Sequence, residues 1–503
     1  MYSIFVEKLQ EDFIKLREFQ EGEKRVKAML TKYEANMEKY LAPWIAFSKD
    51  AKYVYPSQGL LLTPYDYISY HSLQMLPLER VVQTLRMRMF FLTMFNHPYR
   101  MKFLKKVDRA KFSPPPKVKS GVIKRFIGQG LGFSIGDLGA VVVGGDRERV
   151  SRTQRYGQGP FIKLGKQARS LFVGSASPDV WNSAAAISTM AASHCLSAIP
   201  RNGLMSDVKR QVDLAAEVFD WLKILEKELL SERKDKKVLS DYWKKNVCGT
   251  LPAEQEKALE RAIPLYEVGV RTFRVYSPEP GFGLVKTVKA LRHEFGEKIE
   301  IFAGQVISVE QAKMLEVEGA DGIYIGIGGG GRCITGVRSG SVVDWPELLW
   351  LLRGEIKIPV IVEGGASDHV ATTLLLGASG IGVSRVVAGG TIESPGGALY
   401  CSDKNGKLFK PYGGEASART KYLDGKILPF NIPAFVEGET TQAWMSYVAF
   451  THPTLTYNLH LLNEDAILAL VFRSVDSIHQ LQAIDPSPLR QITSEGSFQR
   501  NTH

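Results

Sequence analysis

From about residue 125 onward, short apolar runs alternate with amphipathic stretches of helical period, and glycine-rich turns separate them. The apolar runs fall at 171–174, 196–199, 246–249, 272–276, 299–303, 322–326, 358–362 and 380–384, each the length of a buried strand. Helical segments such as 308–318 and 369–376 lie between them. Eight strand–helix units in series predict an α/β fold, a closed TIM (β/α)8 barrel rather than an open sheet. In such a barrel the ligand-contacting residues sit at the C-terminal ends of the strands, and phosphate commonly sits behind strands seven and eight. The segments that follow strands six, seven and eight are therefore expected to share one mouth.

The pattern differs before and within the barrel. In the first forty residues Phe5, Leu9, Phe13, Leu16 and Phe19 recur at helical spacing. Stretches 85–91 and 97–103 mix aromatic, methionine and basic residues, and Pro114, Pro115 and Pro116 form a stiff linker. Between Arg100 and Arg125 the only acid is Asp108. One reading is an RNA-binding surface, with cations on phosphates and aromatics under bases. The other, favoured because no recognised RNA-binding motif is present, is a helical arm whose methionine and aromatic stripe packs on the barrel or a partner chain. Between strands two and three, 208–230 reads as one long helix and 231–237 as a solvated charge run. That insertion reads as a helix on the barrel exterior or as a partner-binding element. The resulting parse is a helical N-terminal extension (1–120), a first part of the barrel (121–204), a helical insertion (205–245), and the remaining barrel with a flap-like segment and tail (246–503).

Five of the six positions 326–331 are glycine, which costs too much backbone entropy for a helix or strand interior. Such a loop suits close approach of backbone to a ligand, and Cys333 at its end is a candidate nucleophile. A surface loop with an incidental thiol fits the same residues. At 503 residues the chain exceeds one ordinary core unless that core is a large barrel. A net charge of +11 favours anionic ligands or surfaces. The four cysteines are scattered, with no metal-ligand spacing and too few for a disulfide scaffold. An intracellular, reducing location is expected, cytosol or mitochondrial matrix. No apolar run reaches membrane-spanning length, so no membrane partner is expected.

The stretch Gly326 to Thr335 resembles the catalytic loop of the inosine monophosphate dehydrogenase and GMP reductase family, in which a cysteine follows the glycines and a threonine stands two residues later. Further motifs are similar in the right order: Ala303-Gly304-Gln305, Gly319-Ala320-Asp321, Glu363-Gly364-Gly365, Ala388-Gly389-Gly390-Thr391, Lys410-Pro411-Tyr412-Gly413-Gly414 and the tail at 490–496. The resemblance covers roughly 130–500 and implies a barrel that uses a covalent thioimidate at purine C2 and a hydride exchanged with NAD or NADP. It implies Cys333 as nucleophile, Thr335 as its proton-handling neighbour, and Glu437 as the match to the reductase glutamate. Lys421 and Tyr422 stand where the dehydrogenase flap carries an Arg-Tyr pair. Substrate contacts are implied for Ser175, Gly328, Gly330, Gly331, Glu363, Gly364, Gly365, Ser384, Arg385, Tyr412 and Gly414. Cofactor contacts are implied for Tyr276, Ser277 and Gly326. The family also suggests a monovalent cation and a homo-tetramer, with a purine nucleoside monophosphate as ligand. In place of its regulatory CBS pair this chain has only the helical insertion.

Five positions depart from the family pattern around the one ligand. Tyr276 replaces the cofactor aspartate, Glu363 the ribose aspartate, Gly331 the phosphate serine, Ser384-Arg385 a Gly-Ser, and Pro178 the methionine beside the base. These changes leave two functional expectations. One is an active purine nucleotide oxidoreductase. The other is a catalytically degenerate homologue, without cofactor, serving as a scaffold in a larger, ribonucleoprotein-type assembly.

Overall fold

The computed structural model describes residues 63, 71–119, 133–135, 151–175, 177–277, 281–326, 334–340, 343–425, 427–429, 432–445 and 454–491. The helical pattern of the first forty residues and the loop with Gly328, Gly330, Gly331 and Cys333 lie outside the described residues.

Eight parallel strands close on themselves: β1 (Phe172–Gly174), β2 (Ser197–Ile199), β3 (Val247–Leu251), β4 (Thr272–Tyr276), β5 (Glu300–Gly304), β6 (Gly322–Ile325), β7 (Val360–Val362) and β8 (Gly380–Val383). The last strand meets the first through Ile381 opposite Phe172 and Val383 opposite Gly174. The chain is a TIM barrel, as the strand–helix alternation predicts. Strand ends move by a residue or two because ladder register sets them. Thus β3 runs on to Leu251, which pairs with Val275, and β7 begins only after Pro359, which has no N–H to give the ladder.

Strand alternation divides the core. Phe273 and Val275 of β4 face the surrounding helices and belong to the main buried cluster. Val173, Leu196, Cys248, Phe302, Tyr324 and Ile361 form a separate cluster inside the cylinder, joined by Leu164. Leu164 comes from an antiparallel hairpin, Phe161–Leu164 with Gln167–Ser170, that plugs the N-terminal end of the barrel. The same hairpin carries the fully buried Arg169. Its guanidinium grips Glu300 at 2.5 and 3.1 Å, and Thr272 Oγ1 donates to the same carboxylate at 3.1 Å.

The elements outside the barrel pack onto it. The helix Val208–Leu230 buries Leu214, Val218, Leu222 and Leu225 along one face, as the three- and four-residue spacing requires. The charge run that follows does not stay extended. From Lys236 it forms a second helix, Lys236–Lys245, because Leu239 and Trp243 give it a buried face. Two N-terminal helices, Leu78–Phe95 and Pro98–Arg109, place Phe91, Leu92, Phe95, Met101 and Leu104 in the main core. The methionine and aromatic residues of this region are thus largely packing residues. A small antiparallel sheet stands beside the barrel, in the order Ser72–Met75, Leu399–Ser402, Leu408–Gly413, Thr440–Trp444.

Burial pushes the Glu300 carboxyl up, but Arg169, the Lys166 amide and Thr272 outweigh it and hold the group below its ordinary 4.5. A folded-state value below the unfolded one means that the contribution is present above about pH 4.5 and is lost as pH falls. Glu300→Ala leaves Arg169 buried and unpaired, and urea unfolding is expected to show a loss of about 3–5 kcal/mol at neutral pH. The difference between variant and wild type is expected to shrink as the pH drops below 4.5.

Candidate functional site at the C-terminal rim of the barrel

The segments after β6, β7 and β8 converge with the post-barrel sheet. Gly326 follows β6 at φ +118°, and a Cβ there would lie 2.0 Å from the Glu363 carbonyl oxygen. Only glycine lets the loop leave so close to β7. Gly364 and Gly365 both take left-handed conformations, φ +83° and +84°, and turn the chain sharply after Glu363. Ser175 follows β1 and its amide donates to Val383 O of β8 at 3.0 Å. Ser277 follows β4 and is tied by its backbone to Gly304 and Gln305.

Two residues that lie 102 positions apart meet at this rim. Thr335 opens the short helix Thr335–Ser339, and its hydroxyl donates to Glu437 Oε2 at 3.3 Å. The backbone reinforces the pairing: Ile334 N donates to Glu437 O at 2.8 Å, and Glu437 N donates to Ala416 O at 2.9 Å. Arg338 also donates to Val436 O. Phe435 just before them sits at φ +53°, a conformation that costs a bulky residue on the order of 1 kcal/mol or more. Strain of that size persists where the surrounding bonds fix it.

Lys421 and Tyr422 lie on the helix Ala418–Leu423, both half-buried. That helix is pinned to the barrel. Arg419 Nε donates to Asp179 Oδ2 at 2.8 Å, with both side chains buried, and Ser417 caps its N-terminus. Tyr412 ends the strand Leu408–Gly413 with Arg385 above its ring, 5.9 Å from the centroid. Gly414 contributes its carbonyl to Thr420 Oγ1 at 2.8 Å.

Glu363 is engaged inside the barrel. Arg274 of β4 crosses the barrel interior and binds it with both nitrogens, Nη1 to Oε1 at 2.9 Å and Nη2 to Oε2 at 2.6 Å. Gln305 Nε2 adds a third donor at 3.3 Å. The guanidinium lies between the rings of Tyr276 and Tyr324, 4.4 and 4.5 Å from their centroids. Burial alone would lower the Arg274 pKa, but the carboxylate beside it reverses the sign and raises it. Such bidentate geometry belongs to an ionised pair. Arg274 was visible in the sequence only as an inward position of β4, between Thr272 and Tyr276. An arginine at period two within an apolar strand was the available signal, and its partner was not readable. Asp179, which holds the Ala418–Leu423 helix, was also missed; a lone aspartate after β1 carries no sign of a partner 240 residues away.

Beside this ion pair, Tyr324 OH and Gln305 Oε1 are buried and make no hydrogen bond among the described residues, and the same holds for Ser384 Oγ, Glu415 Oε1 and both amide atoms of Asn182. Buried polar groups are normally satisfied, so a concentration of orphans at a barrel rim marks a place where water or a polar ligand binds.

Fold and rim together define a (β/α)8 barrel with a candidate ligand site at the C-terminal ends of its strands. Residues 162–435 match the family described as the IMP dehydrogenase / GMP reductase domain, and the chain belongs to that family. It is similar to an inosine-5'-monophosphate dehydrogenase of Aquifex aeolicus (28% identity over 226 residues, 42% of this chain and 45% of the relative). It is similar also to inosine-5'-monophosphate dehydrogenase 1 of Arabidopsis thaliana (32% over 192 residues; 36% and 37%). A GMP reductase of Streptococcus pyogenes shares 36% identity over 143 residues (27% and 42%). The chain thus spans less than half the length of these curated relatives.

Asp179→Ala is expected to free the Ala418–Leu423 helix by leaving Arg419 buried without its carboxylate. Limited proteolysis should then cut near 418–425 at least tenfold faster, corresponding to local opening easier by about 1.4 kcal/mol or more.

Proposed function

We propose that the rim binds a purine nucleoside monophosphate and that the chain is an oxidoreductase of the IMP dehydrogenase / GMP reductase type. The observation that carries this reading is the Thr335–Glu437 contact, which joins the end of the glycine loop to a carboxylate. Cys333, two residues before Thr335, would add its sulfur to C2 of the base. Thr335 and Glu437 form a relay through which a proton can pass to or from a group at C2. Lys421 and Tyr422 stand on a fixed helix in the flap position. Gly328, Gly330, Gly331, Gly364 and Gly365, with Ser175, Ser384, Arg385, Tyr412 and Gly414, would hold ribose phosphate and base. The orphaned Ser384, Gln305 and Asn182 groups fit a polar, hydrogen-bonding ligand. Tyr276, Ser277 and Gly326 would contact the nicotinamide cofactor, NAD or NADP, which when bound supplies the hydride acceptor or donor.

A 2-halopurine ribonucleotide is expected to label Cys333, detected by mass spectrometry. Glu437→Gln is expected to lower kcat by about 10²–10⁴ with little change in KM. Absence of both labelling and turnover with IMP or GMP and either cofactor sinks this reading.

A second reading has its own support in the Arg274–Glu363 pair. In this reading the barrel has exchanged ribose recognition for an internal ion pair and serves as a scaffold in an assembly. Calorimetry separates the two. If the pair excludes the ribose, wild type takes up no IMP or GMP, and the double variant Arg274→Val with Glu363→Asp gains affinity by about 10-fold or more. Micromolar binding by wild type removes this reading.

A further inference from the structure

The sequence singles out a basic stretch, Arg100 to Arg125, and a charge run, 231–237, which the rim site does not use. The fold brings them to one place. The helix Pro98–Arg109 lies against the turn and helix that close the insertion: Lys105 Nζ meets Asp235 at 2.9 Å, Tyr242 OH donates to Asp108 at 2.7 Å, and Trp243 Nε1 donates to Asn96 Oδ1 at 3.1 Å.

This seam sorts the charges. Its carboxylates are engaged locally. Asp108 accepts from Tyr242, Ala168 N and Lys163; Asp235 from Lys105 and Arg233; Glu226 from Ser240, with Lys236 beside it at 3.3 Å. The cations Lys102, Lys106, Arg109, Lys234, Lys237 and Lys244 are exposed. Against these six, the exposed carboxylates of 231–245 are Glu232 and Asp241. Lys234, Lys236, Lys237 and Lys244 line a groove of ≈ 370 Å³ together with Ser240, Asp241 and Glu226, the last already held by Ser240 and Lys236. At 3.6 residues per turn, Arg109, Lys102 and Lys106 occupy successive positions around their helix, followed by Tyr99 and Phe103. Those two rings are half-buried, 5.2 Å apart and edge-on.

We propose that this face binds the phosphate backbone of a single-stranded nucleic acid. A concave run of ammonium groups tracks a polyanion, and half-exposed aromatics at its edge are stacking platforms for bases. An anionic membrane fits less well. An interfacial helix must offer an apolar face to lipid, and the apolar face of Pro98–Arg109, with Met101 and Leu104, is buried in the core. The inference does not depend on the chemistry at the barrel rim, which lies at the other end of the strands from the hairpin that Asp108 contacts.

The test is fluorescence anisotropy of the full chain with a labelled oligouridylate of about 20 nucleotides, between about 50 and 200 mM salt. Binding is expected to weaken steeply with salt. The variant Lys102→Glu, Lys106→Glu, Lys237→Glu, Lys244→Glu is expected to bind at least about 30-fold more weakly. Its log K against log salt slope should fall by about 3, since each phosphate contact on a single strand contributes about 0.7. A control with Glu at the exposed Lys286, Lys289, Lys298 and Lys404 carries the same charge change elsewhere and is expected to bind like wild type. The proposal is overturned if wild type binds no oligonucleotide at the lowest salt, or if the two variants lose affinity equally. It is overturned also if phosphatidylserine vesicles bind the face and the oligonucleotide does not. Unchanged thermal melting of both variants excludes misfolding as the cause.

Discussion

An eight-stranded parallel barrel encloses a space only wide enough for side chains, so every inward residue either fills that space or serves a ligand at its mouth. Here the cylinder is filled in tiers. Arg169 and Glu300 pair at the floor, an apolar tier follows around Phe302, Tyr324 and Ile361, and Arg274 and Glu363 pair just beneath the rim. A buried guanidinium is tolerable only if its carboxylate is held in bidentate register. Both pairs meet that condition, and both bridge strands far apart in sequence. The upper pair also fixes what the rim can present. It occupies the carboxylate after β7 and sets Tyr276 and Tyr324 as the walls on either side of the guanidinium.

The rim is assembled from outside the barrel as well as within it. Glu437 reaches Thr335 because the strand Thr440–Trp444 pairs with Leu408–Gly413, which in turn holds Tyr412 beside Arg385. Lys410 in that strand is fully buried, with its ammonium donating to the carbonyls of Thr391, Ser394 and Gly397. That bond set ties the segment after β8 to the sheet. Ser72–Met75, far upstream of the residues that match the family, forms the outer strand of the same sheet. The N-terminal region is therefore part of the framework that positions the site.

Two polar surfaces of different character result. At the rim, several polar groups are buried without a partner among the described residues, which suits a small polar ligand. On the opposite side the charges are exposed, mostly positive and spread over two helices, which suits an extended polyanion. The division follows from burial. Desolvated groups discriminate among small ligands, whereas solvated lysines attract any dense array of phosphates and lose that attraction as salt rises.

Periodicity and glycine placement alone determined the barrel. Eight apolar runs spaced by helical stretches admit few other solutions, and the motifs at 303–335, 363–365 and 410–414 located the rim in order along the chain. Thr335 and Glu437 were nameable because the family resemblance implies a role for each. Only the tertiary structure decided that Arg274 spans the barrel to Glu363, that Arg419 anchors to Asp179, and that Lys105 meets Asp235. Each of these is one charged residue in an unremarkable local context, whose partner lies 89, 240 or 130 positions away. Local pattern reports which face of a strand or helix a residue occupies. It carries no record of which residue faces it across a closed sheet, because that is set by strand order and register once the cylinder has closed.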